Sequence, residues 1–291
     1  MTNSNVIGFI GTGVMGKSMV KHFMRARYEV NIYTRTKDKA AELIDMGANW
    51  MESVANLSAS SHYIMTMVGY PEDVEEVYFG ENGIINHALP GSVLVDFTTS
   101  SPSLAKKIYR LSKEKNLHAM DAPVSGGDIG ARDGTLTIMV GGDQSTFGKV
   151  SPILSLVGKN VVLQGDAGAG QHTKMCNQIA IASNMMGVCE ALVYAKQSGL
   201  EPEKVLQSIS AGAAGSWSLS NLAPRMLQGN FEPGFYVKHF IKDMKIALEE
   251  AEKMNLKLPG LALAKKLYDE LSSSGEENSG TQALIKLWSE S

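Results

Sequence analysis

Near the amino terminus the apolar run VIGFI (6–10) is followed at once by Gly11, Thr12, Gly13, Val14, Met15 and Gly16, and apolar residues then recur at helical spacing. A strand that turns and re-emerges as an amphipathic helix within so few residues needs a tight turn, exposed backbone N–H groups and close packing of helix on strand. The spacing G-x-G-x-x-G meets each need with one glycine. The helix start that follows offers unpaired N–H donors and a positive dipole end, a seat suited to a pyrophosphate. The same residues could be a turn and nothing more, but their place at the head of an alternating pattern argues for a dinucleotide site.

Between Val6 and Gly165 the short runs VIGFIG, EVNIYT, HYIMTM, SVLVDF, HAMDAP, LTIMVGG and NVVLQG alternate with helical stretches. That alternation predicts an α/β domain, a mostly parallel, doubly wound Rossmann-type sheet covered by helices. After Gly170 the strand signals stop. Gln171 to Ser198 contains no proline and ends at Gly199, which predicts one helix of ~40 Å. Further helices are expected from Pro202, over Ser216 to Leu227, over Phe235 to Asn255 and over Pro259 to Ser272, with a surface loop across Ser272 to Gly280 before a last short helix. The reading is therefore an N-terminal dinucleotide-binding domain (1–165) and an all-α C-terminal domain (166–291) joined by the long helix.

The 291 residues are 44% hydrophobic and 20% charged with a net charge of −3, and no lysine or arginine block stands out. A nucleic-acid partner is not expected. The first residues lack a basic, apolar leader and no apolar run of about 18 residues is evident, so a cytoplasmic protein with no membrane segment is expected. Cys176 and Cys189 fall on the long helix ~20 Å apart at the usual helical rise, too far to pair with each other. The six histidines show no metal-ligand spacing, and no metal is expected.

The second strand should end at Tyr33, where an enzyme that prefers NAD places an acid on the ribose 2′-hydroxyl. Here Thr34, Arg35, Thr36 and Lys37 follow instead. A guanidinium suits a 2′-phosphate that a carboxylate would repel, so NADP is favoured, with NAD possible.

Three further blocks occur in order: DAPVSGG (121–127), GAGQHTK (168–174) and KDM (242–244). With the glycine turn they resemble the β-hydroxyacid dehydrogenase family, whose members include 3-hydroxyisobutyrate dehydrogenase, tartronate semialdehyde reductase and glyoxylate/succinic semialdehyde reductase. The resemblance spans nearly the whole chain. It implies that Ser125, Gly126 and Gly127 hold the substrate carboxylate, consistent with small residues exposing N–H donors to an anion. It implies that Lys174 is the catalytic lysine and that an amide on the same helix, Asn177 or Gln178, orients the substrate hydroxyl. Lys242 would reach the cofactor and Asp243 brace the site, with Phe235 packing near the nicotinamide against cofactor and substrate. Thr99, within Thr98-Thr99-Ser100, would close over the nicotinamide ribose. Val68 and Gly69 stand where the family more often has a Leu-Pro loop.

The implied reaction is hydride transfer between NAD(P) and a short β- or γ-hydroxy acid, or in reverse the reduction of a semialdehyde or glyoxylate, at a centre in the interdomain cleft. Anchoring the acid end fixes which carbon faces the nicotinamide. Lys174 would take the hydroxyl proton if burial lowers it from its ordinary ~10.4, and would donate one in the reductive direction if it stays charged. A related imine reductase has another residue where Lys174 stands, and the short helical part disfavours a 6-phosphogluconate dehydrogenase. A catalytically silent NADP-binding sensor or interaction module is the other alternative. Met185, Met186 and other apolar residues in excess of one small core suggest a homodimer or homotetramer.

Overall fold

The computed structural model describes residues 6–288. They form nine strands: β1 Val6–Ile10, β2 Glu29–Tyr33, β3 Asn49–Trp50, β4 Tyr63–Thr66, β5 Val93–Asp96, β6 His118–Asp121, β7 Val124–Ser125, β8 Leu136–Gly141 and β9 Gly158–Gly165. Eight α-helices lie among or after them, α1 Val14–Arg25, α2 Ala41–Asp45, α3 Val54–Ser58, α4 Pro71–Phe79, α5 Ile84–His87, α6 Pro102–Glu114, α7 Gly127–Asp133 and α8 Gln144–Leu154. From there the chain is helical: α9 Ala169–Gln197, α10 Pro202–Ile209, α11 Trp217–Asn221, α12 Ala223–Leu227, α13 Val237–Lys253 and α14 Pro259–Leu271, closed by a short 3₁₀ segment over Thr281–Trp288. Two compact units divide within α9, after Lys174.

In the first unit the sheet runs β3-β2-β1-β4-β5-β6-β8-β7, with β9 beside β8. All pairs are parallel except those of β8 with β6 and β7. Alternation along the strands sorts the side chains onto two faces. Ile7, Phe9, Ile32, Met65, Val93 and Val95 enter one buried cluster. Ile10, Ile64, Leu94 and Ala119 enter another. A sheet buried on both faces needs helices on both, which the α/β alternation supplies. The two-residue strands β3 and β7 escape sequence reading because they show no periodicity.

The core of the second unit gathers Met175, Ala182, Met185, Cys189 and Leu192 of α9 around Phe240, Met244 and Tyr268. Phe240 and Tyr268 meet edge to face at 5.0 Å, and the Tyr268 hydroxyl donates to the Thr281 carbonyl at 2.8 Å. Several expectations need correction. Met185 and Met186 are buried in this core, 2% and 9% exposed, rather than spare apolar surface. The helix expected over 216–227 is two helices, because Pro224 in the first turn of α12 cannot donate a backbone hydrogen bond back into α11. The expected loop after α14 begins with a wide helical turn over Ser272–Glu276, broken at Gly275 with φ 93°. Among the described residues α9 is also long and apolar enough by length and composition to cross a membrane, since its Ala, Ile and Met residues sum to a run that no single block reveals; 39% of that window is buried.

Candidate dinucleotide and hydroxyacid site

The glycine turn divides its labour as its spacing requires. Gly11 has φ 98°, and a Cβ there would lie 2.2 Å from the Met67 carbonyl oxygen. A Cβ on Gly16 would meet the Gly11 carbonyl oxygen at 2.0 Å, so only glycine lets α1 pack against the end of β1. A Cβ on Gly13 would meet nothing within 4 Å. Gly13 is the N-cap of α1, with no side-chain cap and no acid in the first turn, which leaves the N–H groups beyond it open to an anion. Val14 is 61% exposed beside it, and Met15 packs partly buried against the core below. Thr12 is buried and its hydroxyl has no hydrogen-bond partner. An open cradle, an uncapped helix start and an orphaned hydroxyl fit the pyrophosphate of a dinucleotide.

The neighbouring loops are tied to this turn. The Gly11 N–H donates to the Tyr33 carbonyl at 2.9 Å, joining it to the end of β2. Thr34, Arg35 and Thr36 follow, the latter two exposed, and the Arg35 guanidinium lies 3.1 Å from the Asp73 carboxylate in the first turn of α4. Sequence reading found no acid after β2; the structure brings one to Arg35 from another element.

A buried network then links the loops after β4 and β5 to the start of α9. The Asp96 carboxylate accepts from the Thr66 hydroxyl at 2.7 Å and from the Thr98 N–H at 3.0 Å. Burial raises this carboxyl to about 6, against the lowering effect of those donors. The Thr98 hydroxyl accepts from the Val68 N–H at 3.0 Å, which fixes the Val68-Gly69 segment. Gln171, fully buried, donates from its carboxamide to the Thr98 carbonyl at 2.7 Å and accepts from the Ser100 N–H at 3.0 Å. Thr99 is thereby held from both sides. Asp121 in turn accepts the N–H groups of Gly168 at 2.7 Å and Gln171 at 2.8 Å, capping the start of α9. Burial raises its carboxyl too, and those backbone donors hold the rise back. Lys174 is 6% exposed, less than one helical turn beyond Gln171. Sequence reading missed Asp96 and Gln171; the only signal for either was a polar residue inside an apolar or helical run.

Ser125 lies on β7 and is followed by Gly126 with φ 128° and Gly127 with φ 62°, conformations that place glycine at both positions. Gly126 is exposed, so the backbone is open to solvent there. In the second unit, the buried Gln178 carboxamide donates to Asp243 at 2.5 Å and accepts from Asn177 at 2.8 Å. The Lys242 ammonium stands 3.0 Å from the other oxygen of Asp243. Phe235 is half-buried and packs on Phe240 at 5.7 Å.

An α/β unit with this turn and the buried Lys174, followed by an all-helical unit bearing the Asn177-Gln178-Asp243 chain, is the plan of an NAD(P)-dependent oxidoreductase. Residues 6–165 match the family model described as the NAD binding domain of 6-phosphogluconate dehydrogenase. Residues 168–288 match that described as NAD-binding of NADP-dependent 3-hydroxyisobutyrate dehydrogenase. The chain is 66% identical to the uncharacterized oxidoreductase YkwC of Bacillus subtilis, covering 97% of this chain and 98% of that one. It is 49% identical to a protein of Arabidopsis thaliana named probable 3-hydroxyisobutyrate dehydrogenase-like 1, mitochondrial, over 98% of this chain and 86% of that one. The 3-hydroxyisobutyrate dehydrogenase of Mycobacterium tuberculosis, solved with L-serine, superposes with a TM-score of 0.90 at 26% identity, covering 98% and 99% of the two chains. An imine reductase of Myxococcus stipitatus reaches 0.65 at 18% identity, over 97% and 99% of the two chains, a likeness of fold alone. The chain belongs to the β-hydroxyacid dehydrogenase family.

Proposed function

We propose that this protein is an NADP-preferring dehydrogenase of a short β- or γ-hydroxy acid, or equally a reductase of the matching semialdehyde, with Lys174 as the acid/base. The observation that carries this reading is the buried lysine set by Asp121 and Gln171 at the start of α9. The dinucleotide, when bound, supplies the hydride acceptor or donor. Lys174 gives its proton to the carbonyl oxygen during reduction, or takes it from the hydroxyl during oxidation. Ser125, Gly126 and Gly127 anchor the carboxylate through a hydroxyl and backbone N–H groups. Asn177 is the substrate amide, because the Gln178 carboxamide is fully buried and occupied by Asp243 and Asn177. L-serine, held by the mycobacterial relative, is itself a β-hydroxy acid.

Support for NADP comes from Arg35, an exposed guanidinium just beyond the end of β2. The reading includes a cytoplasmic location and a homo-oligomer. Tyr194, Trp217 and Leu263 are 74%, 65% and 52% exposed on the helical unit, which suits a self-contact. Light scattering at micromolar concentration checks the oligomer, and a monomeric mass ends that part. Turnover of NADPH and NADH with short semialdehydes, glyoxylate and β-keto acids tests the function. Activity with one of these and a higher kcat/KM for NADPH is expected; binding of NADPH without turnover of any of them would favour a silent sensor.

A further inference from the structure

In the sheet, β1 lies between β2 and β4, so the glycine turn after β1 is flanked by the segments that follow those two strands. Arg35 belongs to the segment after β2 and Asp73 to the helix after β4, and their side chains meet at 3.1 Å. The ion pair therefore reaches across the end of β1, beside the turn that suits the pyrophosphate. Asp73 is well placed to stay there. Its second oxygen accepts the Tyr70 N–H at 3.1 Å as part of the cap of α4, and its side chain is 21% exposed against 82% for Arg35. The carboxylate is held by the fold and the guanidinium is the part free to move.

A 2′-phosphate carries close to two negative charges at neutral pH, as other phosphate monoesters do. To hold it, Arg35 must share its charge between the phosphate and Asp73 or leave Asp73, and in either case the carboxylate remains near a like charge. A ribose 2′-hydroxyl meets neither demand. We propose that Asp73 is a specificity-determining residue that competes with the 2′-phosphate for Arg35 and so narrows the preference for NADP over NAD. This rests on the reading of Arg35 as the partner of the 2′-phosphate. Asp73 supplies, from a different element, the acid that is missing after β2, and it acts on the guanidinium rather than on the ribose.

The test is binding of NADPH and NADH to the full-length protein by fluorescence titration, with Asp73→Asn, Arg35→Ala and the double variant. Asparagine keeps an oxygen for the Tyr70 N–H, and thermal melts identify any variant whose fold is altered; Asp73→Ser, another capping residue, provides a second removal of the charge. Asp73→Asn is expected to tighten NADPH by about three- to tenfold, the scale of an exposed pair plus relief of a like charge, and to move NADH by less than about twofold. In the Arg35→Ala background the same change should recover little of that gain, since no guanidinium remains to be competed for. If Arg35→Ala weakens NADPH while Asp73→Asn and Asp73→Ser leave it unchanged or weaker, the competition is wrong and the NADP reading survives. If Arg35→Ala leaves NADPH binding unchanged, both fail.

Discussion

The Gln178 carboxamide donates to Asp243 at 2.5 Å while accepting from Asn177 at 2.8 Å, so one amide is committed inward and its neighbour is the one left half-exposed. The two residues should therefore fail in different ways. Asn177→Ala is expected to lower kcat/KM for the hydroxy acid by roughly tenfold to a hundredfold, the worth of one hydrogen bond made in the transition state, with the melting temperature nearly unchanged. Gln178→Leu should instead destabilise by about 1–3 kcal/mol, because a buried carboxylate oxygen loses its donor. Urea denaturation alongside steady-state kinetics separates them, and the reverse pattern would exchange the two assignments.

The glycine turn permits a sharper test than loss of activity. Gly13→Ala has open space and an ordinary backbone conformation, so the fold should tolerate it at about 0.5–1 kcal/mol, the cost of a poorer N-cap residue. The new methyl group lies where a pyrophosphate would approach, and NADPH affinity should fall by roughly tenfold or more. Gly16→Ala would push against the Gly11 carbonyl oxygen and should cost about 1–3 kcal/mol of stability. Equal losses of stability at the two positions would contradict this division of labour.

Asp96 gives a pH dependence whose sign follows from its burial. Its carboxyl binds a proton more tightly folded, at about 6, than unfolded, near the ordinary 3.8. The stability it contributes is therefore complete below about 3.8 and is lost as pH climbs to about 6. Since each tenfold change in proton affinity is worth ~1.4 kcal/mol, the loss amounts to about 3 kcal/mol. Asp96→Asn removes this slope. Chemical denaturation from pH 4 to 7 should show wild type losing ground to Asp96→Asn with rising pH, and parallel curves would mean that the carboxyl titrates alike in both states.

Much of this architecture is legible in the sequence because its signals are local. The apolar run VIGFI, the glycine spacing and the proline-free run of α9 each lie within one short or continuous stretch of chain. The bracing of the site is not legible, because its partners are far apart in the chain. Gln171 reaches Thr98 across 73 positions and Asp121 reaches Gln171 across 50. In the sequence Arg35 is a cation suited to a phosphate, and nothing near it announces its ion pair with Asp73. Met185 and Met186 are surplus apolar residues by sequence count alone, and the helices packed around them bury both.

The central claim is that Lys174 moves the proton and does not hold the cofactor. Lys174→Ala should cut kcat by roughly two to four orders of magnitude, the usual contribution of a positioned acid/base, while NADPH affinity changes little. Lys174→Arg should not restore the rate, since a guanidinium keeps its charge and cannot release its proton near neutral pH. The decisive measurement is single-turnover kinetics of Lys174→Ala on the best substrate, paired with an NADPH fluorescence titration of the same protein. The account predicts a large loss of rate with NADPH binding intact; a near-normal rate, or lost NADPH binding in its place, would contradict it.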